Sequence, residues 1–224
     1  MASVGVLPVA AGMAFLAGAT DVYGLARLHD LFVSFMSGNT TMLGVALGSG
    51  DWARAQKVAA LVGLFVAGAA GGAILAVWAG VRHHAAVVAL VSAAVLTVPL
   101  AQPTWTIESF VLAMGALNAS MSRVGAASVS LTYVTGTLVK FGQGLGDMLC
   151  GRPGDWSWLV QAPMWLSLLA GGTCATLLHW RLGSDAVWPL PLMAALLALA
   201  AFGAGRLEAE EEQKSGQNTY STRG

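Results

Sequence analysis

A polar, glycine-containing motif occurs twice in an otherwise apolar chain, and this repetition constrains the fold more than any other feature. The stretch 34–40, Ser-Phe-Met-Ser-Gly-Asn-Thr, returns at 132–138 as Thr-Tyr-Val-Thr-Gly-Thr-Leu. Glycines continue the match at the same spacing, as Gly44 with Gly142 and Gly48 with Gly146. Glycine-interrupted segments at corresponding positions in two halves of a hydrophobic protein point to a binding site near the membrane midplane. The pattern therefore predicts a transporter-like membrane protein.

Composition supports a lipid environment and excludes several other classes. Of the 224 residues, 56% are hydrophobic and only 10% are charged, whereas soluble domains carry about a quarter charged residues. The formal net charge is zero, so we expect no nucleic-acid partner. The two cysteines, Cys150 and Cys174, have no metal-binding or redox spacing, and we expect neither a metal nor a cofactor.

Six segments are predicted to be full transmembrane helices, because a span requires about 20 mainly apolar residues. They are Leu7–Leu28, Val58–Val81, His84–Ala101, Thr106–Ser122, Trp158–Trp180 and Val187–Gly203. Two further segments, Leu31–Gly48 and Val129–Leu149, are apolar at both ends and polar in the middle. Such polar groups are costly in lipid, so we expect Gly-broken or re-entrant helices, or spans with an interior-facing kink.

These segments predict an all-α polytopic membrane protein with a single membrane domain, residues 1–205. Repeat one would cover about 7–101 and repeat two about 105–203, followed by a polar, disordered tail at 206–224. If the motif segments do not cross the bilayer, each half has three spans and the halves are inverted. If they cross, eight spans form a parallel repeat. We favour the inverted form, in the cell inner (plasma) membrane, while the loop charges give only a weak orientation.

Asp21 is the candidate for ion coupling. It lies inside an apolar helix, and an intramembrane carboxylate marks an ion or proton path by default. The alternative is a structural ion pair with Arg27. At the motif offset Asp21 aligns with Ala119, and Asn118 aligns with Thr20. The charge is thus present in one half only, which indicates a single coupling group.

The motif residues are the candidates for substrate binding. They are Ser37, Gly38, Asn39, Thr40, Asn118, Tyr133, Thr135, Gly136 and Thr137. Glycine permits a helix break, whose free N–H groups suit an anion and whose free carbonyls suit a cation. Alternatively, the glycines serve helix packing and the hydroxyls bond to their own backbone. Lys140 would bind an anion, form a structural pair with Asp21 or Asp147, or extend to the membrane interface.

Two stretches resemble the YoaK family of bacterial membrane proteins. The first is Gly-Ala-Thr-Asp at 18–21 followed by the motif at 32–40, and the second runs from 116–119 through Arg123 to 132–137. The family carries a similar Asp-containing first helix and a Met-Thr-Gly-Asn-Thr motif, where this chain has Ser37. The resemblance extends to about Gly205. It implies a multi-span inner-membrane protein with no established substrate.

The sequence favours a membrane transporter of a small polar or anionic solute, with proton or cation coupling and a site between the two motifs. A channel, or a non-transporting sensor or assembly module, is the alternative. An enzyme is not expected, because no nucleophile elbow, P-loop or HExxH motif occurs. A homodimer is a further hypothesis, since a short chain with small-residue helix faces would need a partner to enclose a path.

Overall fold

The computed structural model describes residues 6–28, 30–80, 84–121, 134–152, 158–159, 161–183 and 187–203. Throughout these ranges the regular structure is helical, as the sequence predicts, and they contain no strand. The helices are α1 Val6–Leu28, α2 Met36–Ser49, α3 Trp52–Ala79, α4 His84–Leu96, α5 Val98–Ala101, α6 Thr106–Met121, α7 Val134–Leu149, α8 Gln161–Leu182 and α9 Pro189–Gly203. The predicted tail, 206–224, lies outside the described residues.

Helix α1 is largely buried within the bundle. It packs against α8 and α6, and side chains such as Met13, Leu16 and Ala17 are fully buried. Helix α3 packs against α6, α2 and α4. Among the described helices, α1 and α3 are the two that are long and apolar enough to cross a membrane. Of the six predicted spans, the structure therefore supports two by length and hydropathy. The other four stay predictions.

The two principal helix pairs, α1 with α8 and α3 with α6, approach closely through glycine. A β-carbon at Gly72 of α3 would lie 2.7 Å from the Cα of Ala116 in α6. A β-carbon at Gly18 of α1 would fall against the Leu168 carbonyl of α8, and 3.1 Å from the Gly172 nitrogen. Small residues at such positions allow backbones to approach and are typical of helix pairs in membranes.

The outer surface is apolar where α3 faces away from the bundle. Val66, Ile74, Val77 and Trp78 are more than half exposed, with Trp78 at 81%. A contiguous apolar surface of this kind is unfavourable in water and favourable against lipid. The packing therefore agrees with the composition in indicating a membrane environment.

Among the six predicted spans, two differ most clearly from the described helices. The segment His84–Ala101 is divided, because α4 ends at Leu96, Thr97 forms a turn, and Pro99 lies in the first turn of α5. Proline lacks the N–H that would continue the preceding helix. Helix α3 begins at Trp52, six residues before the predicted start, because the Asp51 side chain accepts from the Arg54 N–H and caps the helix.

In the first half, the motif leads into a helix that continues through Gly38 without interruption. Residues 36–40 lie at the start of the continuous helix α2, and Thr135-Gly136-Thr137 lies within the described part of α7. The expectation of a helix broken at Gly38 is wrong, because the hydroxyls that follow this glycine bond to the helix itself. The Thr40 hydroxyl donates to the Met36 carbonyl at 2.8 Å, and the Thr41 hydroxyl donates to the Ser37 carbonyl at 3.1 Å. The irregular backbone lies earlier, at 30–35.

Candidate functional site

The connecting loop (residues 30–35) between α1 and α2 is bound to the carboxylate of Asp21. The backbone N–H groups of Val33 and Ser34 donate to Oδ1 at 2.7 and 2.6 Å, and the Ser34 hydroxyl donates to Oδ2 at 2.7 Å. An ionised carboxylate only accepts hydrogen bonds, and all three contacts have that direction. Asp21 therefore fixes the chain segment that leads into the first motif.

Asn39 holds the same loop from its other side. Its side chain is fully buried. The Phe32 N–H donates to its amide oxygen at 2.9 Å, and its amide nitrogen donates to the Phe32 carbonyl at 2.7 Å. This pairing satisfies both backbone groups of one loop residue, which would otherwise be costly to bury. The Asn of the motif thus positions the loop.

A cavity of about 720 Å³ lies beside the loop, between α1, α7 and α8. One face of α1 contributes residues at helical spacing of three and four, and α8 contributes a longer face of the same kind. The lining residues are Gly18, Asp21, Val22, Leu25, Phe32, Ser34, Phe35, Val134, Thr135, Leu138, Leu168, Leu169, Gly172, Thr173, Thr176, Leu177 and Trp180. The cavity therefore joins the connecting loop, which includes the first two residues of the first motif, to the helix that carries the second motif.

Two of the predicted site residues line this cavity, namely Asp21 and Thr135. The other described ones do not line it. Ser37 and Thr40 are exposed, Gly38 packs against the Phe35 ring, and Asn39 is buried. The second-half residues outside it are Asn118, Gly136 and Thr137, all half-buried. Tyr133 lies outside the described residues. A role in binding for these residues stays a prediction.

The ion pairs that the sequence suggested for Asp21 are absent from the described ranges. There the carboxylate has Ser34 and the connecting loop as its partners, and neither Arg27 nor Lys140 forms an ion pair with it. Lys140 is exposed on α7. Asp147 instead pairs with Arg152 at 3.7 Å on the exposed surface. If Asp21 has a purely structural role, that role is thus to hold the connecting loop and not to form an ion pair with Arg27.

Sequence reasoning missed several lining residues. Ser34 opens the first motif, and its position there was the available signal. Thr173 and Thr176 are three apart in α8 and follow Gly172, but their hydroxyls donate to the carbonyls of Leu169 and Gly172 at 2.8 Å. Thr residues whose hydroxyls bond to their own helix cannot be distinguished in the sequence from Thr residues that serve only in packing.

The cavity lining combines one carboxylate with a mainly apolar wall. Its one ionisable side chain among the described residues is Asp21, and most of the others are aliphatic or aromatic. A small solute with a polar group and an apolar body would satisfy both parts. None of these described lining residues is cationic, so the anionic solute that the sequence allowed finds no counter-charge among them. In the described ranges, no three His, Cys, Asp or Glu side chains come together to hold a metal ion.

Comparison with known proteins gives the chain a family. Residues 9–200 match the family described as "Protein of unknown function (DUF1275)". The chain is 41% identical over 202 residues to the "UPF0700 transmembrane protein RA0705" of Rhizobium meliloti (strain 1021), covering 89% of this chain and 87% of that protein. No solved structure matches the chain. Since the family match covers residues 9–200 of the 224-residue chain, the chain belongs to the DUF1275 family.

Proposed function

We propose that this protein is a membrane transporter whose solute site is the cavity between α1, the connecting loop, α7 and α8. The observation that carries the proposal is the meeting of Asp21 and Ser34 with Thr135 in one cavity. The first two belong to the first half of the chain, and Thr135 lies in the second motif. A site at the junction of two repeats is the arrangement that alternating-access transporters use.

The proposal includes two structurally equivalent halves. At the motif offset α1 corresponds to α6, and the Gly-Gly pairs at 71–72 and 171–172 make α3 correspond to α8. Exchange of the halves then converts the α1–α8 pair into the α6–α3 pair. The close approach of Gly18 to Gly172 becomes that of Ala116 to Gly72, and both are present. This correspondence supports an internal two-fold relationship.

We also propose an inverted, multi-pass arrangement in the cell inner membrane. The 14 residues of α2 extend about 21 Å at about 1.5 Å per residue, less than the hydrocarbon thickness of about 30 Å. This shortness supports a motif helix that does not cross alone. The transmembrane name of the Rhizobium meliloti relative and the resemblance of both motif stretches to the YoaK family support the membrane assignment.

Asp21 provides a coupling mechanism in this proposal. Its carboxylate holds the connecting loop through Val33 and Ser34 and also lines the cavity. A proton or a cationic group that reaches the carboxylate competes with the loop for its oxygens. Occupancy of the cavity would therefore change how firmly the loop, and with it the start of α2, is held. Such a link converts binding into a shift between two conformations.

A homodimer belongs to the same proposal. Four glycines at repeat-equivalent positions of α2 and α7 face open space, because a β-carbon added at any of them would meet no described atom within 4 Å. They are Gly44, Gly48, Gly142 and Gly146. Small-residue faces left open in this way suit close approach by another helix. The molecular mass of the particle in detergent and in nanodiscs tests this part, and a monomer with full flux in both would exclude it.

Flux into proteoliposomes containing a pH-sensitive dye tests the transport proposal. The panel comprises small cations, anions and neutral metabolites, and the variants are Asp21→Asn and the control Asp147→Asn, a surface carboxylate outside the cavity. Saturable, solute-dependent proton movement that is lost in Asp21→Asn and kept in Asp147→Asn supports a coupled transporter. Non-saturating downhill flux that survives Asp21→Asn identifies a channel instead. Absence of flux for every solute, with the protein folded, favours a sensor or assembly module.

A further inference from the structure

The charge of the cavity indicates which head group it accepts. Asp21 contributes a carboxylate, and none of its described lining residues is cationic. The connecting loop donates hydrogen bonds to both oxygens of this carboxylate, but it contains no cationic side chain that would balance the negative charge. An anion at this place would meet a negative charge with no compensation, whereas a cation would supply the missing opposite charge.

The remaining lining indicates what the head group is attached to. Phe32 and Phe35 stand edge to face, with ring centroids 5.2 Å apart and an interplanar angle of 88°, and Trp180 also lines the cavity. Aromatic faces attract organic cations, tryptophan most strongly. Leucines and valines of α1, α7 and α8 form much of the remaining wall. A volume of about 720 Å³ suits a ligand of drug-like size.

We propose that the cavity binds an alkyl- or aryl-ammonium cation, with the ammonium at Asp21 and the apolar body between the aromatic and aliphatic side chains. The inference rests on the proposed function for the idea that this ligand is moved, but binding can be measured without transport. The same chemistry is available from a soluble amine and from the headgroup of an amine-bearing lipid. If the natural ligand is a lipid headgroup, an amine-bearing lipid should compete with a soluble amine for the cavity. If the natural ligand is a soluble amine, the lipid should not compete.

Three probes with the same aromatic body separate the head groups. They are phenethylammonium, 2-phenylethanol and 3-phenylpropionate, titrated calorimetrically at neutral pH into the full chain in maltoside detergent, with empty micelles as the blank. We expect saturable binding of the ammonium probe and affinity lower by about ten-fold or more for the alcohol, since a charged contact is lost. We expect no binding of the carboxylate probe. Equal or tighter binding of the alcohol or the carboxylate overturns the proposal.

Variants assign the preference to named side chains. Asp21→Asn should remove the preference for the ammonium probe, and the control Asp147→Asn should retain it. Trp180→Leu keeps an apolar wall but removes the aromatic face. We expect it to weaken binding of the ammonium probe more than binding of the alcohol probe. Thr173→Lys introduces a cation into the cavity without touching the Asp21 contacts, so it should abolish ammonium binding even if Asp21→Asn does not fold. A preference that survives Thr173→Lys overturns the proposal.

Lipid competition identifies the source, and transport is judged separately. In nanodiscs, loss of phenethylammonium binding when phosphatidylethanolamine is added assigns the cavity to a lipid amine. Unchanged binding assigns it to a soluble amine, and both results support the ammonium class. Ammonium binding without flux removes the transport proposal and keeps the ligand class. Flux of another solute by a protein that does not bind ammonium removes the ligand class and keeps transport.

Discussion

Ser34 contacts the Asp21 carboxylate twice, through its backbone N–H to Oδ1 at 2.6 Å and through its hydroxyl to Oδ2 at 2.7 Å. The two residues are thirteen positions apart and belong to α1 and to the connecting loop. Their contact places a membrane carboxylate at the wall of the cavity and at the base of the first motif helix. In the proposed mechanism, one side chain therefore both contacts the solute and holds the loop.

Replacement of Asp21 should separate its structural contribution from its charge. Asp21→Ala leaves the N–H groups of Val33 and Ser34 without an acceptor, and we expect the free energy of unfolding to fall by about 3 kcal/mol. Asp21→Asn keeps one oxygen for these donors, so we expect a loss of about 1 kcal/mol. Thermal unfolding in detergent measures both. Equal stability of wild type and Asp21→Ala would contradict the role of the carboxylate in holding the loop.

The fold should depend on the amide N–H donor of Asn39 and not only on the volume of its side chain. Asn39→Asp keeps an acceptor for the Phe32 N–H but places an anion against the Phe32 carbonyl, and we expect destabilisation at least as large as in Asn39→Ala, about 2 kcal/mol. Thr40→Val is the control, because this exposed hydroxyl bonds only within its own helix, and we expect a change below about 0.5 kcal/mol. The same unfolding measurement decides. A stable Asn39→Asp variant would argue against the Phe32 pairing.

Glycines in the helix pairs should differ from glycines on the open faces. Gly72→Ala places a β-carbon against the backbone of Ala116, which cannot move aside as a flexible side chain can, so we expect a loss of about 1–3 kcal/mol. Gly44→Ala meets no atom of the described residues within 4 Å and should be neutral or stabilising by up to about 1 kcal/mol, because alanine favours the helix. The difference in unfolding midpoints gives the comparison. Equal effects at the two positions would contradict the α3–α6 contact.

Some of this arrangement could be predicted from the sequence because its signals are local. Asp21 is a charge in an apolar run, and the motif around Gly38 is a polar interruption that returns near Gly136. Helix length and type followed from hydrophobic runs, which is why the predicted α1 matches closely. These features depend only on neighbouring residues.

Other parts depend on tertiary geometry that no local pattern carries. The Asp21 carboxylate accepts hydrogen bonds from Ser34 and forms no ion pair with Arg27, which is nearer in sequence. The reason is that the connecting loop folds back over α1. Helix α2 begins at Met36 with Phe35 at its N-cap, which makes no side-chain cap, so the usual start signal is missing. The polar motif therefore suggested a helix break where the structure has a helix beginning.

The measurement that tests the central claim most directly is flux through a protein whose cavity has been filled. Thr135→Trp places a large side chain on the cavity wall at the start of α7. Val139→Trp adds the same group one turn later at an exposed position outside the cavity lining. We predict that solute flux in proteoliposomes is abolished by Thr135→Trp and retained by Val139→Trp, with both proteins folded. Full flux in folded Thr135→Trp would contradict the account, because the solute would then pass by another route.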